Sequence, residues 1–436
     1  MYPELLQYYL EQRRWTNLPA GEVRRRQTVK FRRLFEYARE HSPFYRSLYL
    51  DAGVDKLEIR TFSDIQKVPV IDKAMMRKCP HEEIMTRPVT PDLVMHTTSG
   101  STGEPFKVYQ SRFEEFTAHV RVFGVMRAVG YHPAKRIAML TRMEPDAVLD
   151  VENDLRALHR LQRWLGLFRR ENLSIYSPPE DIARRLARGD IDIFWSTPSM
   201  LSMVCDSMER CGIRAHIPWS VLYSETLTEP LCARVRRCLG GSIINLYGAM
   251  ECPTISFDVN GGGMQRVFSN AVLVSLENVG RDGDAAAGEA VITNLVNRTM
   301  PFIRYNLHDS VTVPDAPDAP VKVIGSVRGR TNDQLDLPNG GVLTYPCASA
   351  MFREFPESLQ YQFVQRKSGS IALRLRARDD ISASVVRERA LARWRSRYPD
   401  EPLEVELVDA IPVDPATWKH KVLKRLSDDE ERTLTA

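Results

Sequence analysis

The sequence predicts an α/β protein in two parts. A large N-terminal domain over residues 1–330 has parallel sheets flanked by helices plus a β-rich subdomain, and a small α+β domain follows over 331–436. Three observations carry this. Short apolar runs alternate with helical periodicity between Ile137 and Leu246, the pattern of parallel strands with helices on both faces. From Glu289 onward strands follow one another without helices between them. After Arg330 two tight-turn signals, Pro338-Asn339-Gly340-Gly341 and Lys367-Ser368-Gly369-Ser370, each sit between apolar runs.

The elements follow in order. Residues 19–38 read as a helix, with Pro19 tolerated in the first turn and Val23, Val29, Phe31, Leu34 and Tyr37 on the apolar positions. A small helix starts near Asp72, a favourable N-cap. Residues 114–129 form a helix with Phe116, Val120, Phe123 and Met126 on its apolar positions, and 137–140 a short buried strand. A basic amphipathic helix is expected over 154–170, its arginines a solvated face rather than a docking surface for an acidic carrier protein. Then come a strand over 192–195, a helix over 198–211, and a strand over 221–223 that ends at Ser224-Glu225. A helix over 229–239 is stopped by Gly240-Gly241, and an apolar strand over 242–246 leads into a sharp turn at 247–251. Antiparallel strands are expected over 290–293, 310–313 and 321–325, with 314–320 a proline-rich loop. The small domain adds hairpins over 335–344 and 361–375, a helix over 381–397 and a strand over 403–408.

Composition bounds the function. The chain has 436 residues, 43% apolar and 27% charged, which fits a globular enzyme. A net charge of +4 from 60 basic and 56 acidic residues leaves no footprint for nucleic acid. The seven cysteines (Cys79, Cys205, Cys211, Cys232, Cys238, Cys252, Cys347) are odd in number and lack a C-x-x-C pair, so a reduced, cytoplasmic protein is expected. Cys252 reads as a small apolar residue rather than a nucleophile. No signal peptide, membrane span, repeat or low-complexity tract is read. The nine histidines show no metal-ligand spacing, and Cys252, Asp258 and Gln265 make no convincing ligand set.

Five segments carry chemistry. Thr97-Thr98-Ser99-Gly100-Ser101-Thr102-Gly103-Glu104-Pro105 holds two glycines, three threonines and two serines in nine residues. The glycines let N–H groups turn inward and the hydroxyls add donors, which suits a phosphate. It is not a Walker A loop, because no lysine follows Gly103. Asn245-Leu246-Tyr247-Gly248-Ala249-Met250-Glu251 brings an aromatic face that can stack on a purine and a carboxylate that can hold Mg²⁺ near phosphates. Arg304-Tyr305-Asn306-Leu307-His308-Asp309, Gly329-Arg330-Thr331-Asn332-Asp333 and His420-Lys421-Val422-Leu423-Lys424-Arg425 complete the set. Ligands in parallel α/β folds sit beyond the C-terminal strand ends, so the Ser99 loop, Ser224-Glu225 and Tyr247–Glu251 are expected to converge on one crevice.

In this order the five segments resemble those of the adenylate-forming superfamily (acyl-CoA synthetases, adenylation domains, luciferases), and its phenylacetate–CoA ligase branch in particular. Glu40-His41-Ser42-Pro43-Phe44-Tyr45-Arg46 and Phe62-Ser63-Asp64-Ile65-Gln66-Lys67-Val68-Pro69-Val70 resemble that branch's "P-F-Y-R" and "D-L-x-K-L-P" segments, so the likeness covers nearly the whole chain. It implies a large ATP- and acyl-binding domain over 1–330 and a mobile lid over 331–436. ATP is then bound by Thr98, Ser99, Gly100, Ser101, Thr102, Gly103, Ser224, Glu225, Tyr247, Gly248, Asp309 and Arg330. Asp309 takes the ribose hydroxyls, Glu251 the Mg²⁺, and Lys421 is the mobile catalytic lysine. Met250 stands where Thr or Ser is usual in the branch. Asn332 stands at the hinge where Asp or Lys is usual, and His420 where glycine precedes the lysine. Phe123, Trp195, Tyr223 and Ala249 are the expected acyl-pocket walls.

The expected reaction is ATP-dependent carboxylate activation through an acyl-adenylate. Transfer to the thiol of coenzyme A follows, with a phenylacetate-like aryl acid as the substrate. The alternatives are an adenylating enzyme that passes the acyl group to a carrier-protein thiol or an amine, and a nucleotide-binding protein without turnover. The expected partners are a small carboxylic acid and coenzyme A or a carrier protein, with no nucleic acid and no membrane, in a monomer or homodimer.

Overall fold

The computed structural model describes residues 2–97, 106–141, 169–174, 176–225, 227, 229–259, 263–282, 285–314, 320–330, 334–339, 342–352, 355–378, 380–412 and 421–426. The phosphate-loop residues Thr98 to Gly103, the hinge residue Asn332, and Lys419 and His420 lie outside them, as does the expected basic helix except at its end. The chain divides into two compact units, Met1–Pro133 with Ile244–Val327, and Ala134–Ile243 with Arg328–Ala436.

The first unit opens on helices Tyr2–Trp15, Ala20–His41 and Pro43–Asp51. The second of these buries Val23, Phe31, Leu34, Phe35 and Ala38 on one face. Buried Gln27 fastens it, its amide donating to the carbonyls of Ser269 (2.9 Å) and Val272 (3.0 Å). Helix Lys73–Arg77 is capped by Asp72, which accepts from the Met75 N–H at 2.8 Å. Helix Arg112–Ala128 starts in a Ser111/Glu114 capping box. The Glu114 carboxylate also accepts the N–H groups of Arg298 (2.7 Å) and Thr299 (3.0 Å), so one acid organises a helix start and a distant loop.

The β-structure of this unit is antiparallel. Ser242–Ala249 pairs with Cys252–Val259, which pairs with Gln265–Val267. Val272–Asp282, Ala285–Asn294 and Tyr305–Val313 pair in turn. The expected strand over 321–325 is instead Val323–Ile324 followed by a separate strand, Ser326–Arg330. Gly325 makes the break. Its N–H donates to the Thr312 carbonyl at 2.7 Å, and a Cβ there would meet the Thr312 hydroxyl at 2.8 Å.

The second unit holds the parallel strands, ordered Arg170–Ser174, Ile137–Thr141, Ile193–Ser196, Trp219–Tyr223. Arg170 thus begins a strand, with Ile137 directly beside it, and does not end a helix. Helices Pro179–Leu186, Pro198–Arg210 and Glu229–Leu239 pack on these strands through Leu186, Leu201, Val204, Val235 and Leu239. A separate core belongs to the C-terminal segment. The hairpin Ser358–Gln365/Ile371–Ala377, turned by Gly369 at φ 84°, is flanked by Glu404–Leu407 and Leu423–Arg425, each parallel to its neighbour. Helix Ala383–Arg397 buries Trp394 against Phe363, and Phe352 joins the same cluster. Asp206 links these parts of the unit, receiving Arg376 at 2.6 Å and the buried Arg234.

Candidate active site

The site grows from the hairpin Ser242–Ala249/Cys252–Val259 in the first unit. The strand runs three residues into the expected turn, so Tyr247, Gly248 and Ala249 are strand residues and Met250-Glu251 alone make the turn. The register slips between Tyr247↔Ser256 and Ala249↔Cys252, so the single residue Gly248 faces three, Pro253, Thr254 and Ile255, and the bulge lies on the facing strand. A Cβ on Gly248 would lie 2.2 Å from the Pro253 carbonyl oxygen, so the tight bulge requires glycine. The bulge delivers Glu251 into a buried position, 6% exposed. Asn294 holds its backbone, donating from its amide to the Glu251 carbonyl at 3.2 Å.

The second strand of the site is Tyr305–Val313. Two N-terminal segments prop its start. The buried Tyr45 hydroxyl donates to the Pro301 carbonyl (2.7 Å) and accepts the Ile303 N–H (3.2 Å). Ile71 exchanges backbone bonds with the Arg304 carbonyl (3.0 Å) and the Asn306 N–H (2.8 Å). The Arg304 guanidinium is also structural, donating to the Ile65 carbonyl (3.2 Å) and to Glu277 (2.6 Å). The "P-F-Y-R" and "D-L-x-K-L-P"-like segments therefore act as supports for the third motif.

Two phenols and two carboxylates then cross between the motifs. The Tyr247 hydroxyl donates to Asp309 Oδ2 at 2.7 Å, and the Tyr305 hydroxyl donates to Glu251 Oε1 at 2.9 Å. Each motif supplies one phenol and one acid. The structure thus brings together Tyr247, Gly248, Glu251 and Asp309 among the sequence-predicted residues. It adds Tyr305 and Asn294, to which no role was given. Tyr305 had a signal, its place beside Arg304 in the third motif. Asn294 had none.

The other predicted residues are placed as follows. Ser224 lies at the C-terminal end of parallel strand Trp219–Tyr223 with φ 73°, a left-handed backbone that a serine rarely adopts and that marks stored strain. Glu225 next to it accepts the Ser199 N–H at 2.9 Å and the Ser199 hydroxyl, so its charge sits at the N-terminus of helix Pro198–Arg210. Trp195 and Tyr223 pack edge-on, ring centroids 6.2 Å apart. In the first unit, Phe123 lies between Tyr9 (5.9 Å) and Tyr131 (6.0 Å), and Ala249 ends its strand opposite Cys252. Arg330 closes strand Ser326–Arg330. Lys421 is exposed just before strand Leu423–Arg425, and its carbonyl accepts from the Gln362 amide at 2.8 Å.

Two chemical tests follow. Mg²⁺ takes oxygen ligands, usually one or two carboxylates plus substrate phosphates and waters. Glu251, its Oε1 already oriented by Tyr305, is a donor of that kind. Among the described residues no three His, Cys, Asp or Glu side chains form an all-protein cage. The residues present therefore fit Mg²⁺ carried with a nucleotide. Cys252 is fully buried, and burial pushes its thiol up to about 11, which removes it as a nucleophile.

No protein-family model matches the chain. A phenylacetate–coenzyme A ligase of Thermus thermophilus is 25% identical over 385 residues, 81% of this chain and 80% of that protein. One from Pseudomonas putida is 23% identical over 356 residues, 74% of each. The chain is similar in sequence to phenylacetate–CoA ligases over most of its length. Its fold is that of a solved 2-hydroxyisobutyryl-CoA ligase in complex with 2-HIB-AMP, which matches it with a TM-score of 0.75 at 16% identity, over 96% of this chain and 92% of that one. Among the described residues no helix is long and apolar enough to cross a membrane.

Proposed function

We propose that this chain is an AMP-forming acid–thiol ligase that converts an aryl carboxylate to its coenzyme A thioester. The carrying observation is the crossed pair Tyr247–Asp309 and Tyr305–Glu251. It supports one nucleotide site built from two motifs far apart in sequence. The relatives' names support the acid–CoA chemistry, and the Trp195–Tyr223 ring pair supports an aromatic acid.

The chemistry has two steps. A carboxylate oxygen of the acid attacks the α-phosphorus of ATP, the bond to the β-phosphate oxygen breaks, and pyrophosphate leaves. The coenzyme A sulfur then attacks the acyl carbon, AMP leaves, and the thiol proton goes to solvent. In the first step two anions approach, so positive charge and N–H donors are needed where negative charge builds. In this reading Asp309 accepts the ribose hydroxyls, and its bond from Tyr247 fixes the carboxylate plane. The Tyr247 ring stacks on the purine. Tyr305 aims Glu251, the Mg²⁺ ligand. Bound Mg²⁺ supplies charge neutralisation at the phosphates. The resemblance assigns the phosphates to Ser99 to Gly103 and further nucleotide contacts to Ser224, Glu225 and Arg330. Lys421 offsets charge on the α-phosphate, carried by a mobile lid over 331–436 that turns at Asn332.

The test is a screen of carboxylic acids for acid-dependent pyrophosphate release with ATP and Mg²⁺, followed by acceptor trials. Release with arylacetic or benzoic acids, and a thioester with coenzyme A, is expected. Release only with aliphatic acids would overturn the aryl assignment. An acyl group delivered only to a carrier protein or an amine would overturn the acceptor.

A further inference from the structure

Asp309 does not sit in a regular strand. Glu289 pairs with Ser310 and Val291 with Asn306, so the single residue Ala290 faces three, Leu307, His308 and Asp309. This bulge lifts Asp309 out of the ladder and toward the Tyr247 hydroxyl. At its centre His308 has φ 55°, a conformation that costs a non-glycine residue energy and survives only where neighbours enforce it. Its neighbours do. His308 Nδ1 lies 3.4 Å from Glu289 Oε2 and Nε2 lies 3.5 Å from Asp72 Oδ2, so the ring spans carboxylates on two different elements. Both acids are themselves held. Glu289 accepts the Asn306 amide at 2.6 Å, and Asp72 caps helix Lys73–Arg77. The His308 N–H donates to Asn306 Oδ1 at 2.8 Å, which closes the bulge from the other side.

We propose that His308 is the positioning residue for Asp309. By bridging Asp72 and Glu289 it fixes the bulge, and the bulge sets where the Asp309 carboxylate meets the ribose. The inference rests on the reading of Asp309 as the ribose acceptor. It assigns His308 no contact with substrate.

The test is His308→Asn in the full chain, since asparagine tolerates a left-handed backbone and removes only the bridge. Steady-state pyrophosphate release is measured with ATP and with 2′,3′-dideoxy-ATP. The ATP KM is expected to rise about five- to tenfold, the size of a lost polar bridge, while the KM of the acid stays put. The preference for ATP over the dideoxy nucleotide is expected to shrink. His308→Arg, whose fork keeps donors for both acids, is expected to recover most of the loss. If His308→Asn does not fold, Glu289→Gln and Asp72→Asn, which keeps the helix cap, open the bridge from its far ends and are expected to raise the ATP KM alone. An unchanged ATP KM and an unchanged preference in these variants would overturn the role of His308 and leave the ribose reading standing. Equal rises in the ATP and acid KM values would also overturn it, as general damage to the fold. A wild-type enzyme indifferent to the loss of the ribose hydroxyls would overturn the ribose reading itself, and this proposal with it.

Discussion

Asp309→Asn is the sharpest single perturbation of the nucleotide site. The carboxylate receives the Tyr247 hydroxyl on Oδ2 at 2.7 Å, and a carboxylate can accept several donors at once, the two ribose hydroxyls among them. Asparagine keeps the size and can still accept from Tyr247 through its carbonyl. Its amide nitrogen then faces the ribose as a donor. The loss is one charge-assisted hydrogen-bond set, about 1.5–3 kcal/mol, or about 10- to 150-fold in ATP affinity. Tyr247→Phe removes one bond and leaves the charge, so a smaller loss of about 0.5–1.5 kcal/mol is expected. Calorimetric titration of ATP into each variant reads this directly, with circular dichroism as the folding control. 2′,3′-Dideoxy-ATP should bind the wild type about as weakly as ATP binds Asp309→Asn. A folded Asp309→Asn with wild-type ATP affinity would refute the reasoning and leave Asp309 as a strand carboxylate tied to Tyr247.

Three further outcomes are expected. Gly248→Ala puts a methyl group 2.2 Å from the Pro253 carbonyl, so the hairpin must shift and urea unfolding should show a loss of about 1–3 kcal/mol; a wild-type midpoint would contradict the bulge. With its thiol pushed up to about 11, Cys252 is ionised only about one part in a thousand at pH 8, and burial slows it further. Mass spectrometry after iodoacetamide should find the exposed Cys211 alkylated at least about 100-fold faster; comparable rates would contradict the burial. Lys421→Ala should slow acyl-adenylate formation by about 10²–10³ and spare thioester formation from preformed acyl-adenylate; an equal loss in both half-reactions would remove the mobile-lysine role.

The parts of this protein set by local chemistry were readable from the sequence. The hairpin at 361–375 announced itself through Lys367-Ser368-Gly369-Ser370, and Gly369 takes the left-handed φ the turn needs. Asp72 capped its helix, and Gly240-Gly241 stopped helix Glu229–Leu239, because caps and glycine stops act within a few residues. Tyr247, Glu251 and Asp309 stood out for the same reason: each sits in a short chemical pattern. Their partners were not. Tyr305 reaches Glu251 across 54 positions and Tyr247 reaches Asp309 across 62, and no local pattern encodes such a crossing. The strand that runs on to Ala249 was hidden because Gly248 reads as a turn residue until Pro253 closes on it. Arg170 looked like the end of a basic helix because only its pairing with Ile137 makes it a strand residue.

The central claim is that ATP is cleaved between its α- and β-phosphates by an acid substrate. The most direct measurement is separation of the nucleotide products after incubation with ATP, Mg²⁺, an aryl carboxylic acid and coenzyme A. AMP and pyrophosphate in equal amounts, matched by acyl-CoA thioester and absent without the acid, are expected. ADP and inorganic phosphate as the main products would contradict adenylation and the roles given to Asp309, Glu251 and Lys421.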